Sequence, residues 1–274
     1  MIEPIAKSDS RRAETPVFVG VDVGASHTKV AIIDTDNHLL GHMTRKSGID
    51  FSATADDCLS AALKMARRTR DHIAHVVSTG YGRSNVTYAV SNRTEIGCHA
   101  KGSYLYFPRA VTIVDIGGQD NKVIKLDAAG RRISFKMNRK CAAGTGAFLE
   151  EMSTRLGIPL SDMDGLARQA TDIVQIGSYC TVFSATEVLE HIRHGKKVQD
   201  IIKGLFLSVI RRIIEMDSLT EQVVMTGGVA AHNPYLVELA AEQIGTSILV
   251  PPHPQLAGAI GAALYAREEK GDAV

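Results

Sequence analysis

The sequence predicts an α/β protein built in two rounds on one plan. Three observations carry the prediction. Short apolar runs alternate with segments of helical periodicity. Each round opens on an apolar run cut by an acidic glycine turn, at Asp22-Val23-Gly24 and at Asp115-Ile116-Gly117-Gly118. Phe107-Pro108-Arg109 separates the rounds and marks the domain boundary. The duplication implies two halves with a cleft between them.

In the first round, Val17–Val21 is a short strand, and Thr28–Asp34 and Leu39–Thr44 follow as an antiparallel meander joined by the turn Thr35-Asp36-Asn37-His38. A helix over about Thr54–Arg70 places Leu59, Ala62, Leu63 and Ala66 on one stripe. His75–Thr79 is a strand closed by Gly80-Tyr81-Gly82, and a second helix spans Glu95–Tyr106. In the second round, strands at Val111–Asp115, Asn121–Leu126 and Ile133–Met137 precede helices near Thr145–Leu156, Asp162–Gln169, Ser184–His194 and Val198–Met216. Gln222–Thr226 is a strand broken by Gly227-Gly228. A helix at Pro234–Ile244, a strand at Ser247–Val250 and a helix over about Gln255–Arg267 complete the chain.

Composition narrows the function. A chain of 274 residues with 45% hydrophobic content suits one large or two modest globular domains. A net charge of +1 argues against a broad electrostatic grip on nucleic acid or an anionic membrane, and 5% aromatic content without Trp argues against base-stacking platforms. Four cysteines are too few for a disulfide framework, which points to a reducing, cytoplasmic setting. Residues 1–16 lack the apolar core of a secretory signal and read as a flexible leader. No window approaches the roughly 20 apolar residues of a membrane span. Ile201–Ile214 is interrupted by Lys203, Arg211 and Arg212, and Leu256–Ala266 is too short.

The glycine turns carry the chemistry. The first, Asp22-Val23-Gly24-Ala25-Ser26-His27-Thr28-Lys29, offers backbone N–H groups, the Ser26 and Thr28 hydroxyls and the Lys29 ammonium to a phosphate. The second is Asp115-Ile116-Gly117-Gly118-Gln119-Asp120, and the third is Met225-Thr226-Gly227-Gly228-Val229. A strand-end carboxylate such as Asp22 or Asp115 suits the water shell of Mg²⁺, which keeps several of its waters. A single strand, Asp-x-Gly turn and strand also describes a plain hairpin; one turn per round makes the phosphate reading the stronger. No Gly-x-x-x-x-Gly-Lys-[Ser/Thr] loop and no strand-following Gly-x-Gly-x-x-Gly is present, which counts against P-loop and Rossmann sites.

The set Asp22 to Lys29, Asp115 to Asp120 and Thr226-Gly227-Gly228 resembles the phosphate-1, phosphate-2 and adenosine motifs of the acetate/sugar kinase–Hsp70–actin superfamily, over nearly the whole of Val17–Ala266. The resemblance implies two ribonuclease-H-like domains flanking an ATP cleft. The expected organisation is a leader at 1–16, a first domain at 17–108, a second at 109–250, and a C-terminal helix within 251–274 returning to the first domain.

The cysteines divide in two. Cys58 lies in the stripe of the first helix and Cys98 in a small-residue segment, so both read as core. Cys141 begins Cys141-Ala142-Ala143-Gly144-Thr145-Gly146, and Cys180 lies in Ser178-Tyr179-Cys180-Thr181-Val182-Phe183. Each precedes a predicted helix, where the N-terminal dipole favours a thiolate or an anionic cluster. The residues alone also admit a pair of buried thiols. A structural zinc site would need four ligands, usually in close pairs. If a 4Fe–4S cluster exists, with its customary four thiolates, a second subunit must supply two of them.

The segments 115–120, 138–146, 180–183, 225–230 and 254–259, and above all Cys-Ala-Ala-Gly-Thr-Gly with the second cysteine, resemble the ATP-hydrolysing activator family of benzoyl-CoA reductases and 2-hydroxyacyl-CoA dehydratases. One departure is Ala25, where the family often has a hydroxyl residue. The resemblance implies a dimer bridging one 4Fe–4S cluster through Cys141 and Cys180, with ATP hydrolysis driving a low-potential electron to a CoA-ester enzyme and a ferredoxin or flavodoxin as donor. Asp22 and Asp115 would orient Mg²⁺ and its waters. Gly24, Ala25, Ser26, Thr28, Lys29, Gly117, Gly118, Gly144, Thr145 and Gly146 would hold phosphates, and Gln119 or Asp120 would position the attacking water. Gly227, Gly228 and Asn233 would lie against adenosine. A small-molecule kinase of the same superfamily is the alternative, but no convincing base and sugar-binding set is evident. A non-catalytic ATP-binding subunit is a third reading. His191 and His194 lack a third acidic ligand for a metal, and Arg67-Arg68-Thr69-Arg70 and Arg211-Arg212 read as solvated helix faces.

Overall fold

The computed structural model describes residues 15–138, 141–177 and 180–271. The leader reading of residues 1–16 therefore falls, through residue 14, outside the described residues. Two compact units form: one from the residues up to Cys98 together with those from Gly258 onward, the other from His99–Ala257. The division falls inside a helix, upstream of the Phe107-Pro108-Arg109 turn.

The first unit holds β1 (Val17–Val23), β2 (His27–Ile33), β3 (Leu39–Lys46), α1 (Phe51–Ala66), β4 (Ile73–Thr79), the two-residue β5 (Ser91–Asn92) and the start of α2 (Glu95–Tyr106). Its sheet runs β3-β2-β1-β4-β5, with β1 antiparallel to β2 and parallel to β4. Every residue of β1 is buried, as a central strand covered on both faces requires, so the sequence there is apolar up to Asp22. Asp50 caps α1 by accepting a hydrogen bond from the Ala53 amide at 2.9 Å, and Ala55, Cys58, Leu59, Ala62, Leu63 and Ala66 form its buried stripe. The helix stops at Ala66, short of the predicted Arg70, because Arg67 adopts left-handed backbone (φ 54°) and caps it.

The second unit adds β6 (Val111–Ile116), β7 (Asn121–Leu126), β8 (Arg132–Asn138), α3 (Gly146–Leu156), α4 (Met163–Arg168), α5 (Thr181–Arg193), α6 (Val198–Met216), β9 (Gln222–Thr226), α7 (Gly227–His232), α8 (Pro234–Ile244) and β10 (Ile248–Leu249). Its sheet, β10-β9-β6-β7-β8, repeats the plan: β6 is fully buried, antiparallel to β7 and parallel to β9. A core of Phe148, Met152, Leu205, Phe206 and Val209 packs beside Val114 and Ile116 of β6. Two shifts fall beside the predicted motifs. Gly227-Gly228, read as a breaker, opens α7, and α5 starts at Thr181, three residues before the predicted Ser184.

The last helix, α9 (Ala257–Gly271), groups with the first unit from Gly258 onward. A side chain on Gly20 of β1 would run into the Ala259 carbonyl, and one on Gly261 into the Cys98 carbonyl. Those two glycines let α9 lie backbone-close against both β1 and the start of α2. Glu269 anchors the far end of α9, accepting from Ser91 Oγ (2.6 Å) and Arg93 Nε (2.8 Å) and pairing with His75 Nε2 (3.1 Å). Among the described residues no helix is long and apolar enough to cross a membrane.

Candidate functional site: two acidic turns and a cysteine loop

Each unit places an aspartate at the end of its central strand, opposite a lysine on the next strand. In the first unit Asp22 pairs in register with Lys29, whose Nζ lies 3.1 Å from Asp22 Oδ2. Asp22 is buried, whereas the Lys29 side chain is 18% exposed. The turn between them is closed by the Gly24 amide donating to the His27 carbonyl at 3.1 Å. Ser47 braces it, donating to the Gly24 carbonyl at 2.6 Å and sharing a hydrogen bond with the Thr28 hydroxyl at 2.9 Å. Thr28 is fully buried, so its hydroxyl braces the turn from inside. Ala25 is exposed, and Ser26 and His27 are half-buried.

In the second unit Asp115 faces Lys122 in the same register, with Nζ 3.3 Å from Oδ2. Here the lysine is buried too, 3% exposed, and it also meets Asp120 Oδ1 at 2.8 Å. Asp115 Oδ1 accepts from the Thr226 hydroxyl at 2.8 Å and lies 3.3 Å from His99 Nδ1 on α2. Burial pushes the Asp115 carboxyl up, but the neighbouring His99 and Lys122 charges and the Thr226 hydroxyl outweigh it. They hold the carboxyl far below the usual carboxylate range. The Gly117 amide donates to the Asp120 carbonyl at 2.9 Å, Gly117 and Gly118 are half-buried, and Gln119 is exposed at the tip.

The second turn is tied to the cysteine loop. The amides of Gly146 and Ala147, at the start of α3, donate to the carbonyls of Gly117 (2.9 Å) and Gly118 (2.7 Å). Gly144 is left-handed (φ +81°), and its carbonyl accepts from the buried Asn121 side chain at 2.8 Å. Thr145 is buried at the N-cap of α3, with its hydroxyl on the Ala142 carbonyl at 2.6 Å. Cys141 is exposed, and Cys180 is half-buried at the N-cap of α5. A hollow lined by Ala142, Ala147, Glu151, Arg155, Thr181 and Val182 joins the starts of α3 and α5. Arg139, Lys140, Ser178 and Tyr179, part of the motifs quoted above, lie outside the described residues. Cys58 and Cys98 are fully buried, and burial raises their thiols to about 11 and about 12, which fits packing roles.

The third turn completes the second unit's set. Gly227 has φ +94°, and a side chain there would strike the Ile116 carbonyl, while Gly228 lies beside Gln255. Asn233 is buried at the N-cap of α8, its side-chain amide donating to the Val229 carbonyl at 2.9 Å. The structure thus gathers Asp115, Gly117, Gly118, Asp120, Gly146 and Gly227 in one unit, and Asp22, Gly24, Thr28 and Lys29 in the other.

Sequence reasoning missed Lys122, His99, Ser47 and the Thr226 hydroxyl. Lys122 had a signal: it lies seven residues after Asp115, as Lys29 lies seven after Asp22. His99 and Ser47 had none in their local spacing, because long-range packing brings them in, and Thr226 stood in the third turn's motif with nothing there to set the direction of its hydroxyl.

The residues present fit Mg²⁺ and an iron–sulfur cluster in donor chemistry. Asp22 Oδ1 is buried and has no hydrogen-bond partner among the described residues, and a metal-bound water would fit it as a donor. Two thiols at or just before helix N-termini are suitable soft ligands.

Two units, each a mixed five-stranded sheet whose central hairpin ends in an acidic glycine turn, define a protein of the actin, Hsp70 and sugar-kinase class. Within that class the chain belongs to the BadF/BadG/BcrA/BcrD ATPase family, which it matches over residues 19–266. It is similar to the activator of lactoyl-CoA dehydratase of Anaerotignum propionicum, 42% identical over 91% of this chain and 97% of the relative. It is also similar to the (R)-2-hydroxyglutaryl-CoA dehydratase activating ATPase of Acidaminococcus fermentans, 38% identical over 90% of this chain and 96% of the relative. Among solved structures, the activator of the 2-hydroxyisocaproyl-CoA dehydratase from Clostridium difficile with bound ADPNP superposes with a TM-score of 0.88 at 38% identity. That match covers 94% of this chain and 96% of the other.

Proposed function

We propose that this ATPase is an electron activase. MgATP hydrolysis at the acidic turns would be coupled to low-potential electron transfer from a 4Fe–4S cluster held by Cys141 and Cys180 and their counterparts in a second subunit. The acceptor is a CoA-ester dehydratase of the 2-hydroxyacyl type, the class that the similar activators serve. A benzoyl-CoA reductase is the finer alternative within the same chemistry, and ferredoxin or flavodoxin is the proposed donor. The setting is cytoplasmic.

One observation carries the reading. The two backbone hydrogen bonds from Gly146 and Ala147 to Gly117 and Gly118 join the phosphate turn to the loop that begins at Cys141. A change in the turn on loss of the terminal phosphate is therefore felt within a few residues of the thiol. In this scheme Asp22 and Asp115 are the carboxylates for the waters of Mg²⁺. Lys29 and the backbone amides of Ala25, Ser26 and Gly118 are phosphate ligands, while Gly24 and Gly117, whose own amides close their turns, shape the wall together with Gly144, Thr145 and Gly146. Gln119 or Asp120 positions the attacking water, because phosphoryl transfer depends mainly on positioning and charge stabilisation. Gly227, Gly228 and Asn233 form the adenosine side. Thr28 contributes from inside, through Ser47. When bound, the cluster supplies a one-electron carrier of low potential.

Anaerobic purification followed by iron, sulfide and EPR analysis tests the proposal. The expected result is a dimer with one reducible 4Fe–4S centre that is lost on Cys141→Ala or Cys180→Ala. A colourless, iron-free protein that still delivers electrons to a dehydratase overturns it.

A further inference from the structure

We propose that Lys122 is a positioning residue of the hydrolytic centre, the cation that locks the Asp115 and Asp120 carboxylates together beneath the second glycine turn. The inference rests on the reading of that turn as the phosphate and Mg²⁺ site.

Three observations carry it. First, Lys122 is 3% exposed, at a depth where lysine is rarely found unless paired, and it bridges Asp115 Oδ2 at 3.3 Å and Asp120 Oδ1 at 2.8 Å. Burying such a group is no route to stability by itself, because well-packed apolar side chains commonly serve as well or better. Second, Asp115 is held independently from two other directions, by Thr226 at 2.8 Å and by His99 at 3.3 Å, whereas the Asp120 side chain is 24% exposed. Lys122 is thus the tether that transmits the fixed orientation of Asp115 to a carboxylate at the mouth of the turn. Third, a side chain on Gly117 would strike Asp120 Oδ1, so the glycine leaves room for that carboxylate to sit over the turn. The equivalent lysine of the first unit, Lys29, is 18% exposed and pairs with Asp22.

Removing Lys122 would leave the nucleotide-binding backbone in place but free Asp120 to swing away. Hydrolysis should suffer and binding should not. A misplacement of this kind lowers rate by about 100-fold.

The test uses the intact, anaerobically purified protein. Wild type must hydrolyse ATP and Asp115→Asn must abolish that activity; failure of either control overturns the reading of the turn itself. With both controls met, Lys122→Met is expected to lower kcat by about 100-fold while KM for ATP and the affinity for ADP change by less than about threefold. Lys122→Arg, which keeps the charge, should recover part of kcat. A Lys122→Met protein whose kcat stays within about threefold of wild type overturns the inference, as does a KM that rises in step with the fall in kcat. Should Lys122→Met fail to fold, the Lys122→Arg and Asp120→Asn cycle decides. Losses that do not add in the double variant support the coupling, and strictly additive losses overturn it.

Discussion

The two acidic turns are copies of one design that the protein has completed differently. In both, an aspartate ends the central strand, a lysine lies opposite it in the hairpin, and a threonine–glycine pair ends the neighbouring parallel strand: Thr79-Gly80 beside Asp22, and Thr226-Gly227 beside Asp115. Both glycines have positive φ, and a side chain on either would strike the carbonyl of the residue after the aspartate, Val23 or Ile116. The difference lies in where the threonine points. Thr226 donates to Asp115 Oδ1, whereas Thr79 turns away to the Arg93 carbonyl at 3.0 Å and leaves Asp22 Oδ1 without a hydrogen-bond partner among the described residues. Asp115 is engaged through both oxygens, Asp22 through one. The same backbone therefore carries two different side-chain networks around its strand-end carboxylate.

The largest expected effect that separates the turns is on stability. Asp115→Ala leaves Lys122 and His99 buried without their shared carboxylate and should cost about 3–5 kcal/mol. Asp22→Ala strands only a partly exposed Lys29, which can turn to water, and should cost about 1–2 kcal/mol. Urea unfolding followed by circular dichroism measures both, and equal losses would erase the distinction. The pH dependence sharpens the point. Because the folded Asp115 carboxyl is depressed, its stabilisation is present above the unfolded value of about 4 and drains away as pH falls below it. Asp115→Asn should accordingly flatten the acid limb of the stability curve below about pH 4, and an unchanged limb would contradict this.

A smaller effect should follow from the threonines. Thr226→Val removes a donor from a buried carboxylate and should cost about 1–3 kcal/mol, together with hydrolytic activity. Thr79→Val removes a donor from a backbone carbonyl and should cost about 1 kcal/mol while leaving ATP hydrolysis near wild type. The comparison collapses if Thr79→Val proves the more damaging to turnover.

The smallest perturbation is chemical labelling of the thiols. In cluster-free protein, a neutral-pH alkylating reagent should modify Cys141 and Cys180 and spare Cys58 and Cys98, which are fully buried with raised thiols. Peptide mass spectrometry reads the pattern. Comparable labelling of Cys58 would mean that the first unit's core is open to solvent.

Most of the architecture was readable from periodicity, because buried central strands such as Val17–Val23 and amphipathic helices such as Phe51–Ala66 write their environment into residue spacing. The failures have physical causes. Gly227-Gly228 reads as a break, yet Gly227 is the left-handed entry that lets α7 start against the Ile116 carbonyl. Arg67 ends α1 in a conformation that no local pattern announces. In the candidate site, the strand-end turns themselves were legible because their tight backbone favours glycine beside a short polar residue. The direction of a threonine hydroxyl, the inward placement of Lys122 and the approach of His99 were not, since each depends on partners that only the folded chain supplies.

The bonds from Gly146 and Ala147 to the second turn carry one further consequence. A helix leaves its first amides without internal partners, and α3 has no side-chain cap to satisfy them. Gly117 and Gly118 fill that role, so the turn is the helix's cap as well as a candidate phosphate cradle. Any rearrangement that rotates those two carbonyls uncaps α3 at the same instant. The start of that helix is therefore a built-in reporter: its amide exchange rate and the conformation of the turn are two readings of a single equilibrium.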